Sequence, residues 1–366
     1  MSAPRKLNAT SSTTIAGRDP TVKERRDVTG AAGYVLRRVG SGGDKSSARR
    51  RGRPRGARRR WDRGGCRGRG GGVLAVVDPR STGIGGDLFA QCWPVGSQGP
   101  VGLASAGVAP AAMTTDALRA AGHTAMPVNG AWTVTVPGAP AGWEALLERF
   151  GRLGAERILA PAISHAAHGF PVSRFVAEEW RSSEAKLRAS PAAARELFLP
   201  GGEVPVAGQA LTFPDLARSL DAFASYGAAP FYRGEIARRL AAAVQDEAGP
   251  LQASDLAEWA GPEWVSPIST SYRGTVGPEM PPPGHGVVVL ETLRIMEGSS
   301  TPDAVGEDHA LIESLKFAFA DACATVADPS VEPVAIERLL SDEHVASRRA
   351  GMLMEQAAEA VIGRPS

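Results

Sequence analysis

Apolar residues recur at helical spacing over most of the second half of this chain and alternate in only a few short places. In Ala141–Leu153, Trp143, Leu146, Leu147 and Phe150 fall on one helical face, and Ile158–Ala167 and Arg174–Leu187 continue the pattern. Gly169, Phe170 and Pro171 interrupt it. Phe213–Ser225 and Gly234–Asp246 read as two further amphipathic helices, and Asp255 is placed to N-cap a short one, Leu256–Trp259. Strand signals are fewer. Val73–Val77 reads as a buried strand with Leu88–Trp93 as its hairpin partner, Trp132–Val136 alternates up to the Pro137–Gly138 turn, and Ile268–Gly277 reads as strand and turn. Pro281–Pro283 and Gly284 cannot sit in a helix interior or a central strand, because three N–H donors are missing in succession. They introduce a helix from His285 or Gly286 to Glu297. Asp308–Ala324 is a longer apolar helix, and Val334–Leu340 and Ser341–Ala350 read as two more. The order predicts an α+β fold: a few strands, a long helical middle region, one more strand, then helices.

No periodic face exists before Val73. The formal net charge of +2 conceals a division: residues 1–72 carry a balance of +15 and residues 73–366 one of −13. Between Arg49 and Arg69 stand 11 arginines and one acid, Asp62, among many glycines. Such a stretch cannot bury enough apolar surface to offset its ordering entropy. Three readings are open for it. One is a phosphate-contacting tail, although only Trp61 offers base stacking. Another is a solvated, disordered tail, and the third is GC-rich coding sequence read in a shifted frame. Residues 1–72 and 73–366 are therefore treated as separate units. Three cysteines, Cys66, Cys92 and Cys323, form no metal or disulfide spacing and fit a reducing compartment. Neither a membrane-spanning apolar run nor a secretory signal is seen, so the expectation is a cytoplasmic protein with no membrane partner.

The densest punctuation lies in Val76–Ala90, VVDPRSTGIGGDLFA. Gly83, Gly85 and Gly86 are expected to take positive φ and to lie against another segment or a ligand. A dinucleotide site fails there, because the third glycine of G-x-G-x-x-G is replaced by Leu88. Around Ser105 the spacing G-x-x-S-x-G departs from a nucleophile elbow. His165 and His168 lie three apart on one helix without a carboxylate to complete a metal motif, and His285 sits in a turn. Asp321 and Asp328 are assigned to structure. No metal and no organic cofactor is expected.

Several stretches, taken in order, resemble the gamma-glutamyltransferase (glutathione hydrolase) family of N-terminal-nucleophile hydrolases. They are VVDPRSTGIGGDLFA (Val76–Ala90), APAAMTTDALRAAG (Ala109–Gly122), VTVPGAPAGWEALLERFG (Val134–Gly151), LAPAISHAAHGFPVS (Leu159–Ser173), FYRGEIARRLA (Phe231–Ala241), DLAEW (Asp255–Trp259), MPPPGHG (Met280–Gly286), LRIMEG (Leu293–Gly298) and KFAFADACATVADP (Lys316–Pro329). The resemblance implies an αββα sandwich, here incomplete, and a precursor that cuts itself before a threonine. That threonine becomes the nucleophile, with its own amine as base. It implies cleavage of gamma-glutamyl or related amides through an acyl-enzyme, resolved by water or an acceptor amine.

The resemblance covers the large subunit, and three departures stand out. No Thr-x-His or Asp-Thr follows Val73, so no residue of the chain is assigned a catalytic role, and the chain alone is expected to be inactive. Either it is truncated or a separately encoded small subunit completes it. In GLASAGVAP (Gly102–Pro110) the family's carboxylate-binding arginine is matched by Val108, which offers no charge. Gamma-glutamyl recognition is therefore expected to be altered or lost. The family's opening Gly-Gly-Asn-Ala helix has no match before Val73. The alternative from another class is a nucleic-acid binder with an Arg/Gly tail and a degenerate hydrolase-like body.

Overall fold

The computed structural model describes residues 71–199, 201–299, 301 and 303–357. The Arg/Gly-rich stretch, and with it the nucleic-acid, disordered-tail and shifted-frame readings, lies outside these residues.

The described chain opens in helix, not strand: residues 71–77 form α1. The run Val73–Val77 was expected to be a strand because β-branched residues dominate it. Packing decides otherwise. Val76 is fully buried in a cluster with Ala162, Ala166, Phe170, Trp180 and Leu220. At Gly72 a Cβ would lie 2.7 Å from the Leu159 side chain, so α1 seats closely where glycine permits it. The hairpin exists with other partners. β1 (Leu88–Cys92) pairs antiparallel with β2 (Val101–Ser105), setting Phe89 opposite Ala104.

After the short α2 (Thr115–Ala120), the expected strand Trp132–Val136 is replaced by a 3-10 turn, Ala131–Thr133, and extended chain. Its alternating pattern is satisfied by one main-chain bond, Val136 N to Val108 O at 3.0 Å, rather than by a ladder. The helical middle follows the periodicity. α3 (Ala139–Phe150) and α4 (Ala155–His168) lead into the two-residue strand β3 (Phe170–Pro171). The helix expected over Arg174–Leu187 breaks at Ser183 into α5 (Arg174–Ser182) and α6 (Glu184–Arg188). α7 (Pro191–Leu197) precedes β4 (Ala210–Leu211), which pairs with β3.

α8 (Pro214–Tyr226) lies on α4 and places Leu220 and Phe223 in the core. α9 (Ala229–Arg233), α10 (Glu235–Asp246) and α11 (Ala253–Glu258) complete this half. Asp255 is not the N-cap of α11. It stands at N3 and returns a bond to Gln252 N at 2.8 Å, the acidic partner of a capping box.

β5 (Glu263–Val265) adds to β2, giving a three-stranded sheet in the order β1-β2-β5. β6 (Ile268–Tyr272) and β7 (Thr275–Glu279) form a separate hairpin. The proline run then delivers α12 (Gly286–Glu297), followed by α13 (Ala304–Thr325), α14 (Ile336–Leu339) and α15 (Asp342–Ala350). α12 packs on α13, and α15 lies against both. The mixture of helices and small sheets is an α+β fold.

Candidate functional site

Two places gather chemistry-bearing groups. The first is the crossing of residues 105–108 with residues 136–138. Ser105 ends β2 completely buried and donates its Oγ proton to Gly138 O at 2.7 Å. This rules it out as an exposed nucleophile. Here glycine is obligatory, for steric reasons. A Cβ on Gly107 would stand 1.5 Å from Val136 O, and one on Gly138 would stand 1.9 Å from Ser105 O. Tyr232 clamps the return segment by donating to Pro137 O at 2.6 Å and accepting from Ala141 N at 3.2 Å. Burial raises the pKa of its phenol above the ordinary value, so the phenol keeps its proton and donates. Gly107 N donates to Asp87 Oδ1 at 3.1 Å. Asp87 as a residue is exposed, yet desolvation of its carboxyl outweighs that bond and raises its pKa.

The expected site residues border this crossing. Val108 is 39% exposed; its carbonyl holds Val136, and its side chain is free of polar atoms. Gly83, Gly85 and Gly86 depart from expectation in their backbone angles. None of the three has positive φ. A Cβ on Gly85 would meet nothing within 4 Å, and those on Gly83 and Gly86 only atoms of the turn itself at 4.0 and 3.8 Å. Their turn closes by Gly86 N to Gly83 O at 3.4 Å, and Gly86 O accepts from Ala139 N at 2.8 Å. Gly86 thus lies against the start of α3, as expected of the run, while the tightest backbone approaches are made by Gly107 and Gly138. Those glycines stand singly in the sequence and show no cluster to notice.

The loop after Val108 is anchored from a distance. Asp255 Oδ1 accepts from Ala111 N at 2.9 Å while its other oxygen serves Gln252. The sequence placed Asp255 at the N-cap; neither its N3 position nor the bond across 144 positions was legible there.

The second place is a buried polar cluster between α12, α13 and α15. Ser341 N-caps α15, accepting from His344 N at 3.2 Å. One turn apart on that helix, His344 and Arg348 reach the same carboxylate, Asp321 of α13. His344 Nε2 lies 3.0 Å from Asp321 Oδ2 and 3.0 Å from Glu291 Oε1 of α12. Arg348 Nε donates to Asp321 Oδ2 at 2.7 Å, and its Nη2 to Asp321 Oδ1. Asp321 and Glu291 are 0% and 1% exposed. Desolvation, then the neighbouring Asp321, push the Glu291 carboxyl up to about 9. Glu291 Oε2 has no hydrogen-bond partner.

Sequence reasoning assigned Asp321 to structure and passed over Glu291, His344 and Arg348. One signal was present: Glu291 is a lone acid inside the apolar run Val287–Leu293. His165 and His168 share α4 and join no carboxylate cluster among the described residues; His168 Nδ1 lies 3.2 Å from Ser164 O. His285 precedes α12, its ring 6.1 Å from that of Phe319.

The gamma-glutamyltranspeptidase family model matches residues 71–364, and the chain belongs to that family. It is 33% identical over 278 residues to the glutathione hydrolase-like YwrD proenzyme of Bacillus subtilis, covering 74% of this chain and 52% of that protein. It is 37% identical over 239 residues to the acylase ACY 1 proenzyme of a Pseudomonas species, covering 63% and 42% respectively. Among solved structures, the cephalosporin acylase of Bacillus halodurans superposes with a TM-score of 0.73 at 36% identity, covering 79% of this chain and 55% of that one. The chain thus spans about half the length of the curated relatives named here. The fold is that of N-terminal-nucleophile hydrolases, as the resemblance implied. Neither the family match nor these relatives support the nucleic-acid alternative.

Proposed function

We propose that this chain is the large-subunit part of an amide-cleaving enzyme of the gamma-glutamyltranspeptidase family. In the complete protein, a threonine hydroxyl attacks the amide carbonyl, the amine leaves, and water or a second amine resolves the acyl-enzyme. The threonine and its oxyanion donors belong to the part of the family protein that this chain does not cover. A small subunit, encoded with this chain or separately, is the implied partner. The single observation that carries this reading is the family match over residues 71–364 by a chain spanning about half its relatives.

Val108 bears on the substrate. A bidentate arginine–carboxylate pair cannot form at a valine, so we propose an acyl amide whose acyl group needs no α-carboxylate anchor. Two of the three relatives named above are called acylases, which supports that direction.

The test is an anilide-release assay. The full chain alone, and the chain co-expressed with the small-subunit half of the Bacillus subtilis relative, are given a gamma-glutamyl anilide and a pentanoyl anilide, whose acyl chain has the same length but no carboxylate. The expected result is no turnover by the chain alone, cleavage of the pentanoyl substrate by the pair, and a shift toward the gamma-glutamyl substrate in Val108→Arg. Release by the chain alone at an enzyme-like rate overturns the reading.

A further inference from the structure

Among the described residues, the ligand atoms of Glu291, Asp321 and His344 all lie within 4.8 Å of one another. Each comes from a different helix, and the cluster takes no part in the proposed amide chemistry. We propose that Glu291, Asp321 and His344 bind one first-row divalent transition-metal ion, zinc fitting best, that pins α15 across α12 and α13.

The spacing fits a metal. Ligand atoms about 2.1 Å from a zinc-class ion stand about 3.0 Å apart at a right angle and about 3.4 Å apart at a tetrahedral one. His344 Nε2 lies 3.0 Å from both carboxylate oxygens. A single Nε2–H cannot point straight at two acceptors at once, whereas one ion between three ligand atoms serves them all. One imidazole and two carboxylates make a mixed nitrogen and oxygen set that suits zinc and its first-row neighbours better than magnesium or calcium.

Charge is compatible with an ion. Two buried carboxylates, Glu291 and Asp321, face the Arg348 guanidinium, and a divalent cation held between them would let both be ionised at once. Among the described residues the buried Glu291 Oε2 accepts no hydrogen bond. A divalent ion bound through the Glu291 carboxylate would stabilise its ionised form in place of a proton. Arg348 then has an orienting role. It grips Asp321 from one side and fixes the carboxylate plane, as partners behind a metal ligand do. Access comes from the α15 side, since the His344 side chain is 10% exposed while those of Glu291 and Asp321 are 1% and 0%.

No motif announces this site. The ligands lie 30 and 23 positions apart in the sequence, one per helix, so a search for short spacings passes over them. The histidine pair that does have motif-like spacing, His165 and His168, gathers no carboxylate among the described residues.

The experiment uses the full chain, stripped with a chelator and titrated with Zn²⁺ and Co²⁺. The expected result is one bound equivalent, a visible Co²⁺ absorption band, and a melting temperature raised by about 5 °C by saturating Zn²⁺ but not by Mg²⁺. Glu291→Gln should weaken Zn²⁺ binding at least tenfold, and His165→Asn/His168→Asn should leave it unchanged. X-ray absorption on the zinc-loaded wild type should show nitrogen and oxygen donors including imidazole. This measurement does not depend on any variant folding. Failure of the wild type to bind, loss of binding in the His165/His168 variant, binding unchanged in Glu291→Gln, or sulfur in the first shell each overturns the proposal. None of these results depends on amide cleavage, so they stand apart from the test of the proposed function.

Discussion

Single residues hold the crossing of residues 105–108 and 136–138 together, and the glycines there are the sharpest case. Gly107→Ala forces a methyl group into a carbonyl that cannot move without dislodging Val136, and is expected to cost about 3 kcal/mol or to prevent folding. Gly85→Ala meets open space and should change the stability of this chain by less than about 0.5 kcal/mol. Urea denaturation of both variants checks the contrast. The sequence displays the glycine cluster that proves permissive and hides the isolated glycines that are essential, because steric need arises from a neighbour remote in the chain. Glu279 offers a pH test. Desolvation outweighs the bond from Met280 N and raises its pKa above 4.5. The folded state therefore holds this proton more tightly than the unfolded state does. Its stabilising effect is full below pH 4.5 and is lost as the pH rises through the raised value. Glu279→Gln removes that loss, so its melting temperature relative to wild type should rise between about pH 4 and pH 7.

Elements divide by how much of their cause is local. α3, α4, α8 and α10 were legible because each shows one apolar stripe at helical period, and α12 and α13 because they are long apolar runs without strand punctuation. α1 was not, because its β-branched residues favour a strand until Leu159 and Ala162 are brought against it. β3 and β4 have two residues each and carry no pattern. The C-terminal end of α12 shows a third cause. Arg349 of α15 donates to Ile295 O at 3.0 Å and Arg294 O at 2.9 Å, two carbonyls of its last turn. Arg349→Ala should cost about 1–2 kcal/mol and speed amide exchange at Gly298 and Ser299, measured by denaturation and by hydrogen exchange. A Cβ on Gly298 would stand 2.1 Å from that guanidinium, so the arginine and the glycine that receives it belong together.

At the scale of the molecule, apolar surface remains uncovered among the described residues. Ile312, Leu315 and Phe319 form a stripe on α13 at helical spacing, with exposures of 57%, 38% and 43%, and Val289 of α12 is exposed as well. β1 and β5 each pair on one side only. Surface of this kind promotes association. The chain expressed alone is expected to self-associate, and Ile312→Glu/Phe319→Glu to shift it toward monomer. Sedimentation velocity at several concentrations checks this, and a monodisperse wild-type monomer contradicts it. The family was legible from ordered motifs along the chain. The α12–α13–α15 cluster was not, because only the packing of three helices brings its members together.

Asp255 couples two places that the chain keeps far apart. One oxygen steadies the backbone just beyond Val108 and the other secures the first turn of α11. Displacing that loop therefore takes a hydrogen-bond acceptor from the helix start, and fraying of α11 loosens the loop in return. A ligand settling beside Val108 would register more than a hundred residues downstream, as a change in how readily the amide of Gln252 trades its proton with water.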